Sequence, residues 1–123
     1  SEGGIGWVPM LIDRVDYVLG HSASGTESTA WPSDLLPSEV LRRNFWFCTI
    51  DDPSIIDVRH RIGVAHIMVE SDYPHADSTW PDTQAVLDKT LGHLPDDELR
   101  AIAGANAAAL FRHPLPAVDD WRA

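Results

Sequence analysis

Three shortages bound this sequence before anything in it is interpreted. It has a single cysteine, Cys48, so it cannot form an intramolecular disulfide, and a reducing cytoplasm is the default setting. Cys48 lies in the apolar run Phe45-Trp46-Phe47-Cys48 and reads as a buried structural thiol rather than a nucleophile. Basic residues are the second shortage. Nine Lys and Arg stand against 19 Asp and Glu, a net charge of −10. Binding nucleic acid requires clustered cations to neutralise phosphates, so that class of partner is excluded. Long apolar runs are the third. No stretch of about 18 apolar residues occurs, so no transmembrane helix is predicted, and no charged-then-apolar start resembles a signal peptide. The six histidines include neither an H-x-H pair nor an H-E-x-x-H motif. Internal repeats and low-complexity segments are also missing.

What is present suits one α/β domain, since 123 residues at 44% hydrophobic can bury a core. The chain opens on Ser1-Glu2-Gly3-Gly4-Ile5-Gly6. Glycine-rich polar sequence ahead of a helix usually follows a strand, and no strand stands before this one, so the segment is expected to continue something longer. Its glycines leave backbone N–H groups open to an anion or to a plain tight turn. Val8, Leu11, Ile12, Val15, Val18 and Leu19 form one helical stripe, with Asp13, Arg14, Asp16 and Tyr17 facing away and Gly20 as the stop. His21 to Leu36 reads as a loop, and Pro37 to Arg43 as a short helix with charges matched to its dipole.

Phe45 to Ile50 is a strand candidate, aromatic and apolar enough to be covered on both faces. Asp52 is a natural N-cap with Pro53 at the first helical position. The helix that follows places Ile55, Val58 and Ile62 inward and stops at Gly63. Ile67 to Val69 is the next strand. Together these make a βαβ unit, whose two strands should be parallel with a right-handed crossover. Asp77 to Pro81 leads into a helix with Thr83, Val86, Leu87, Thr90 and Leu91 on its inner side and Gly92 at its end. Pro95-Asp96-Asp97-Glu98 opens a last helix. There Leu99, Ile102, Ala103, Asn106 and Leu110 share a face and Gly104 is a candidate kink. Asn106 on that stripe needs hydrogen-bond partners, and a structural bond to a neighbouring loop is the expected one. Residues 115–123 read as a tail, with Trp121 as the residue expected to dock it.

Chemistry concentrates where the second strand ends. After Ile67-Met68-Val69 come Glu70, Ser71, Asp72 and His75. Carboxyl ends of parallel strands are where α/β proteins place ligands. Asp72 and His75 are the candidate catalytic residues, Asp72 as metal ligand or base and His75 as its hydrogen-bond partner or a supporting contact behind it, and Glu2 and Asp51 are possible neighbours. A plain alternative stays open: Asp72 caps a turn before Pro74 and His75 is merely exposed. His60, His93 and His113 read as structural, His21 is undecided, and His66 belongs to the opposite end of the sheet.

The run Ser71-Asp72-Tyr73-Pro74-His75 behind an apolar strand resembles the eighth-strand motif of the amidohydrolase-related family of metal-dependent hydrolases and decarboxylases. Pro95-Asp96-Asp97-Glu98-Leu99 through Gly104-Ala105-Asn106-Ala107-Ala108-Ala109-Leu110-Phe111 resembles its terminal helix, and Glu2-Gly3-Gly4 its sixth-strand exit, where many members carry His-Gly-Gly. The resemblance spans nearly the whole chain but only the last third of the family's usual length. It implies that residues 1–123 are a C-terminal segment of a TIM (β/α)8 barrel, which as a whole needs roughly 200–250 residues. It further implies a divalent metal, zinc or manganese, held by Asp72 with Glu2 at a histidine's place, where it keeps an oxygen ligand or marks a site that holds metal poorly. A small-molecule substrate is expected, with hydrolysis or decarboxylation as the reaction and no turnover by the segment alone. Open strand edges imply self-association into a homo-oligomer or pairing with a missing N-terminal part. The competing reading is a non-catalytic α/β remnant, or a degenerate metal-free relative, acting by self-association.

Overall fold

The computed structural model describes residues 2–22 and 31–115. Helix α1 (Val8–Ser22) is followed by α2 (Pro37–Asn44), β1 (Phe47–Thr49), α3 (Ile55–Ile62), a 3-10 turn (Val64–His66) and β2 (Ile67–Val69). Then come α4 (Thr83–Leu91), α5 (Asp96–Arg100), a π turn (Ala101–Ala105) and α6 (Asn106–Phe111). The two strands are parallel, with Phe47 opposite Ile67, Cys48 opposite Met68 and Thr49 opposite Val69. A strand–helix–strand unit with a parallel pair is the arrangement expected from the apolar runs and the helix between them.

The core lies between the sheet and its helices. Ile5, Val8 and Ile12 meet Ile55 and Ile62 of α3, Ile67 of β2, Leu91, Leu94 and Ile102. Each fully buried isoleucine removes a branched apolar side chain from water, worth about 1.5–3 kcal/mol. Phe47, Ile67 and Val69 join this cluster from one face of the sheet. Strand alternation puts Cys48 and Met68 on the other face. The Cys48 thiol is half-buried, and burial together with the nearby Glu70 charge pushes its pKa up. An ionised nucleophile is thereby disfavoured, as a structural thiol requires.

Several boundaries differ from the periodicity. Gly20 does not stop α1, which runs to Ser22, so the start of the expected 21–36 loop is helical. A glycine is tolerated there because a Cβ would meet nothing within 4 Å. Residues 23–30 and the tail from 116, with Trp121, lie outside the described residues. Val18 is exposed, although it belongs to the apolar stripe. Asp16, expected to face away, is half-buried and accepts the Ser38 N–H at 2.9 Å, because α2 packs across that side of α1. Strand β1 is shorter than Phe45 to Ile50. The Phe45 N–H donates to Leu41 O at 2.9 Å and so still closes the last turn of α2, which leaves its ring exposed rather than covered.

The last helix widens where Gly104 was a candidate kink. Ala101–Ala105 forms a π turn, and Asn106 N–H reaches back to Ala101 O. One extra residue per turn rotates the later side chains, so Ala103, expected inward, is exposed. Asn106 itself points at the sheet. Its amide donates to Val64 O and to Ile67 O, each at 2.8 Å, tying α6 to the start of β2. That is the structural bond the buried amide required. No helix among the described residues is long and apolar enough to cross a membrane.

Candidate metal centre

The rim at the carboxyl ends of β1 and β2 is built mainly by one loop. β2 ends at Val69, and Glu70 N–H still pairs with Thr49 O at 3.0 Å. Ser71 O then accepts two bonds from further along the loop, from Thr79 N–H at 3.0 Å and from the Ser78 hydroxyl at 2.7 Å. His75 N–H closes a turn onto Asp72 O at 2.9 Å. The Tyr73–Pro74 bond inside this turn is cis. The same bonds explain why residues 77–81 are not yet helix: Ser78 and Thr79 are pulled back to Ser71, and α4 begins only at Thr83. Asp72 takes a left-handed conformation, φ 56°, which the short polar side chain of aspartate tolerates better than most residues do.

Asp72 and His75 are thereby brought together. His75 Nδ1 lies 2.9 Å from Asp72 Oδ1 and 3.1 Å from Oδ2. The Asp72 side chain is 10% exposed and that of His75 65%, so the carboxylate is set into the rim while the imidazole stands at its mouth. With Nδ1–H donated to the carboxylate, Nε2 is the atom left to accept or deliver a proton.

Glu2 arrives from the other end of the chain. Its carboxylate joins Asp72 and His75 in a set whose donor atoms all lie within 4.8 Å of one another. The segment that carries it is tied down at two places. Glu2 N–H donates to Glu70 Oε1, and Ile5 N–H donates to Asp52 Oδ2 at 2.6 Å. The open N–H groups of the glycine-rich stretch thus do meet an anion, and the anion is the protein's own Asp52. This carboxylate is not the helix cap that its place before Pro53 suggested. Its Oδ1 accepts the Ser54 N–H at 3.1 Å and the Ser54 hydroxyl at 2.6 Å, making a local turn, and α3 starts later, at Ile55. Burial works to raise the Asp52 carboxyl. Bonds from the Ser54 hydroxyl and from the Ile5, Ser54 and Gly6 N–H groups outweigh it and hold the pKa below the usual aspartate range.

Asp51 sits on the same rim, exposed, in a cleft lined also by Thr49, Asp52, Glu70, Thr79 and Thr83. It is not part of the three-residue donor set. The remaining histidines are elsewhere. His66 Nδ1 is 3.1 Å from Phe45 O at the amino end of the strands. His60 is largely exposed beside Glu98, and His21 stacks on Tyr17.

One oxygen from each of two carboxylates, with an imidazole bonded to one of them, makes a cluster suited to a divalent ion such as zinc or manganese. Ligand bonds of about 2.0–2.2 Å in a tetrahedral site place two donors of one ion about 3.3–3.6 Å apart. The three groups are close enough together that side-chain rotation alone would close them around a divalent cation. Among the described residues no lysine or arginine forms an ion pair with Glu2, Glu70 or Asp72. Sequence reasoning missed the parts played by Asp52 and Glu70. A carboxylate pair Asp51-Asp52 at one strand end, facing a run of glycine N–H groups, was the available signal.

Comparison with known proteins gives this rim its context. The amidohydrolase family model matches residues 3–113. The chain belongs to the amidohydrolase family. Among solved structures, 5-carboxyvanillate decarboxylase LigW from Sphingomonas paucimobilis is similar over 86% of this chain at 28% identity, with a TM-score of 0.69. A dihydroxybenzoic acid decarboxylase from Polaromonas sp. JS666, solved with bound manganese and the inhibitor 2-nitroresorcinol, covers the same share at 19% identity and a TM-score of 0.63, a likeness of fold. A comparison with curated proteins gives no match. The chain spans 31% of the length of each of these two decarboxylases. Both are TIM-barrel amidohydrolases, so the parallel pair and its helices are a segment of such a barrel.

Proposed function

We propose that this segment forms the metal-holding rim of a metal-dependent decarboxylase that acts on a small carboxylated substrate. The observation that carries the reading is the meeting of Glu2, Asp72 and His75 at the carboxyl ends of parallel strands in an amidohydrolase-family chain. The similarity to LigW supports decarboxylation over hydrolysis. In this reading Asp72 and Glu2 are the metal ligands. A divalent cation held by these two carboxylates would supply positive charge to stabilise the electron density that builds up in the reaction. Decarboxylation breaks a carbon–carbon bond and leaves an electron pair on carbon, which must take up a proton. His75 is placed to handle that proton at Nε2, while Asp72 holds Nδ1 and fixes the ring's tautomer and orientation.

Strands β1 and β2 pair only with each other among the described residues. The outer edge of each would be covered by further strands of the barrel, or by a second copy, and those strands would bring further ligands and the walls of the substrate site. The segment alone is therefore expected to bind metal weakly and to show no turnover.

The test is made on the complete protein that contains this chain, loaded with manganese. Metal content is measured by mass spectrometry, and carbon dioxide release is followed over a panel of hydroxylated aromatic carboxylates. Asp72→Ala should lower metal content by about tenfold or more and abolish release. Wild-type metal content and rate in that variant would remove Asp72 from the site. Turnover of amide or ester substrates without carbon dioxide release would replace decarboxylation with hydrolysis.

A further inference from the structure

Glu2 is a ligand candidate with an unusual support. It sits at the exposed start of a glycine-rich stretch rather than on a strand or helix, three residues ahead of Ile5, the buried side chain that anchors the stretch in the core. Two carboxylates hold the backbone between that anchor and Glu2. Glu70, the residue just past β2, accepts the Glu2 N–H. Asp52, three residues past β1, accepts the Ile5 N–H at 2.6 Å. The stretch between these two bonds contains Gly3 and Gly4. Gly4 is at φ +63°, and a Cβ there would lie 2.9 Å from Asp52 Oδ2. A Cβ on Gly6 would lie 2.8 Å from the Ser54 hydroxyl, itself held by Asp52 at 2.6 Å. The backbone thus passes directly over the Asp52–Ser54 turn, closer than any side chain at these positions allows.

We infer that Asp52 is a positioning residue for the metal site: it clamps the Glu2–Gly6 backbone against the rim so that the Glu2 carboxylate stays within reach of Asp72 and His75. Asp52 does not touch the donor set and acts only through Glu2. Three features favour this over a local turn that merely starts α3. One Asp52 oxygen serves Ser54 within the turn, and the other is given to a residue 47 positions away. Ile5, whose N–H is bonded, is fully buried, so the anchor is fixed on its own side as well. Glu70 holds the opposite end of the same stretch, so the backbone is gripped on both sides of the two glycines. The inference rests on Glu2 and Asp72 being ligands.

The experiment measures manganese affinity of the complete protein by the electron paramagnetic resonance signal of free Mn2+. The variants are Asp52→Ala, Glu2→Gln, the double variant, Gly4→Ala and Asp72→Ala. Loss of an orienting partner typically weakens a metal site by about 10–100-fold. Asp52→Ala should fall in that range, with Asp52→Asn, which keeps one acceptor oxygen, in between. If Asp52 works through Glu2, Asp52→Ala should cost nothing further once Glu2→Gln is in place. Gly4→Ala should reproduce the loss from the other side of the clamp, and it carries the test if Asp52→Ala does not fold. Wild-type affinity in both Asp52→Ala and Gly4→Ala, or full additivity with Glu2→Gln, would overturn the clamp while leaving the metal site standing. Undiminished affinity in Asp72→Ala would overturn the metal site itself.

Discussion

Replacing Asn106 with alanine tests how the terminal helix is fastened to the sheet. The Asn106 amide spends both of its hydrogens on backbone carbonyls, Val64 O and Ile67 O, each at 2.8 Å. Ile67 is the first residue of β2 and has no exposed surface, so its carbonyl gains little from water when the amide is removed. A typical intramolecular hydrogen bond contributes about 0.5–1.5 kcal/mol net, and a buried acceptor left without a partner costs about 1–3 kcal/mol. Asn106 is half-buried, so the low end applies to the Val64 carbonyl. The sum for Asn106→Ala is about 2–3 kcal/mol, a substantial share of the roughly 5–15 kcal/mol that holds a domain together. Asn106→Asp is the sharper variant. It removes both donors and sets a carboxylate against two carbonyl oxygens, so its folded-state pKa rises above the unfolded value near 3.9. Its extra penalty is absent below that value and grows as pH increases. Equilibrium urea unfolding followed by circular dichroism at pH 7 should rank wild type, Asn106→Ala and Asn106→Asp in falling order. The gap between the two variants should close toward pH 3.5. A stability for Asn106→Ala within about 0.5 kcal/mol of wild type would show that the two bonds do not fasten the helix.

Two further outcomes follow from single residues. Gly104 lies in the π turn, where an added Cβ would meet nothing within 4 Å, so Gly104→Ala should stabilise the protein by about 0.5–1 kcal/mol through lost unfolded-state freedom, read as a rise in thermal midpoint; a fall would mean the π turn needs glycine. The Asp52 carboxyl is held below its ordinary pKa by its hydrogen bonds, so its ionised form contributes stability above the unfolded value near 3.9 that is lost as pH falls through the folded one. The stability advantage of wild type over Asp52→Asn should therefore shrink steadily in that acid window, and an advantage independent of pH would refute it.

Most of the frame was legible in the residues alone. The stripe of α1, the stop at Gly63, the apolar run of β2 and the helix bounded by Thr83 and Gly92 all follow from spacing and turn chemistry, which act over a few residues. Ends of elements were less legible, because they answer to neighbours. Gly20 would stop an isolated helix, yet α1 continues. Phe45 belongs by composition to a strand, yet its N–H closes α2. Ala103 belongs by spacing to the inner face, yet the π turn rotates it outward. The pairing of Asp72 with His75 was within reach of the sequence, being a contact across three positions in one loop.

The order of helices and strands, the parallel pair and the acidic loop at its end were determined by the sequence itself, since periodicity and turn residues encode local structure directly. The sequence offered both Glu2 and Asp51 as rim neighbours of Asp72; tertiary structure decided that Glu2 joins the donor cluster and Asp51 does not. Glu2 reaches Asp72 across 70 positions, and Asp52 serves Ile5 instead of a helix start, because a carboxylate bonds whichever donor the folded chain places nearest. Nothing in the residues around Asp52 or Ile5 specifies their bond; it exists only once the core has set the two strand ends side by side.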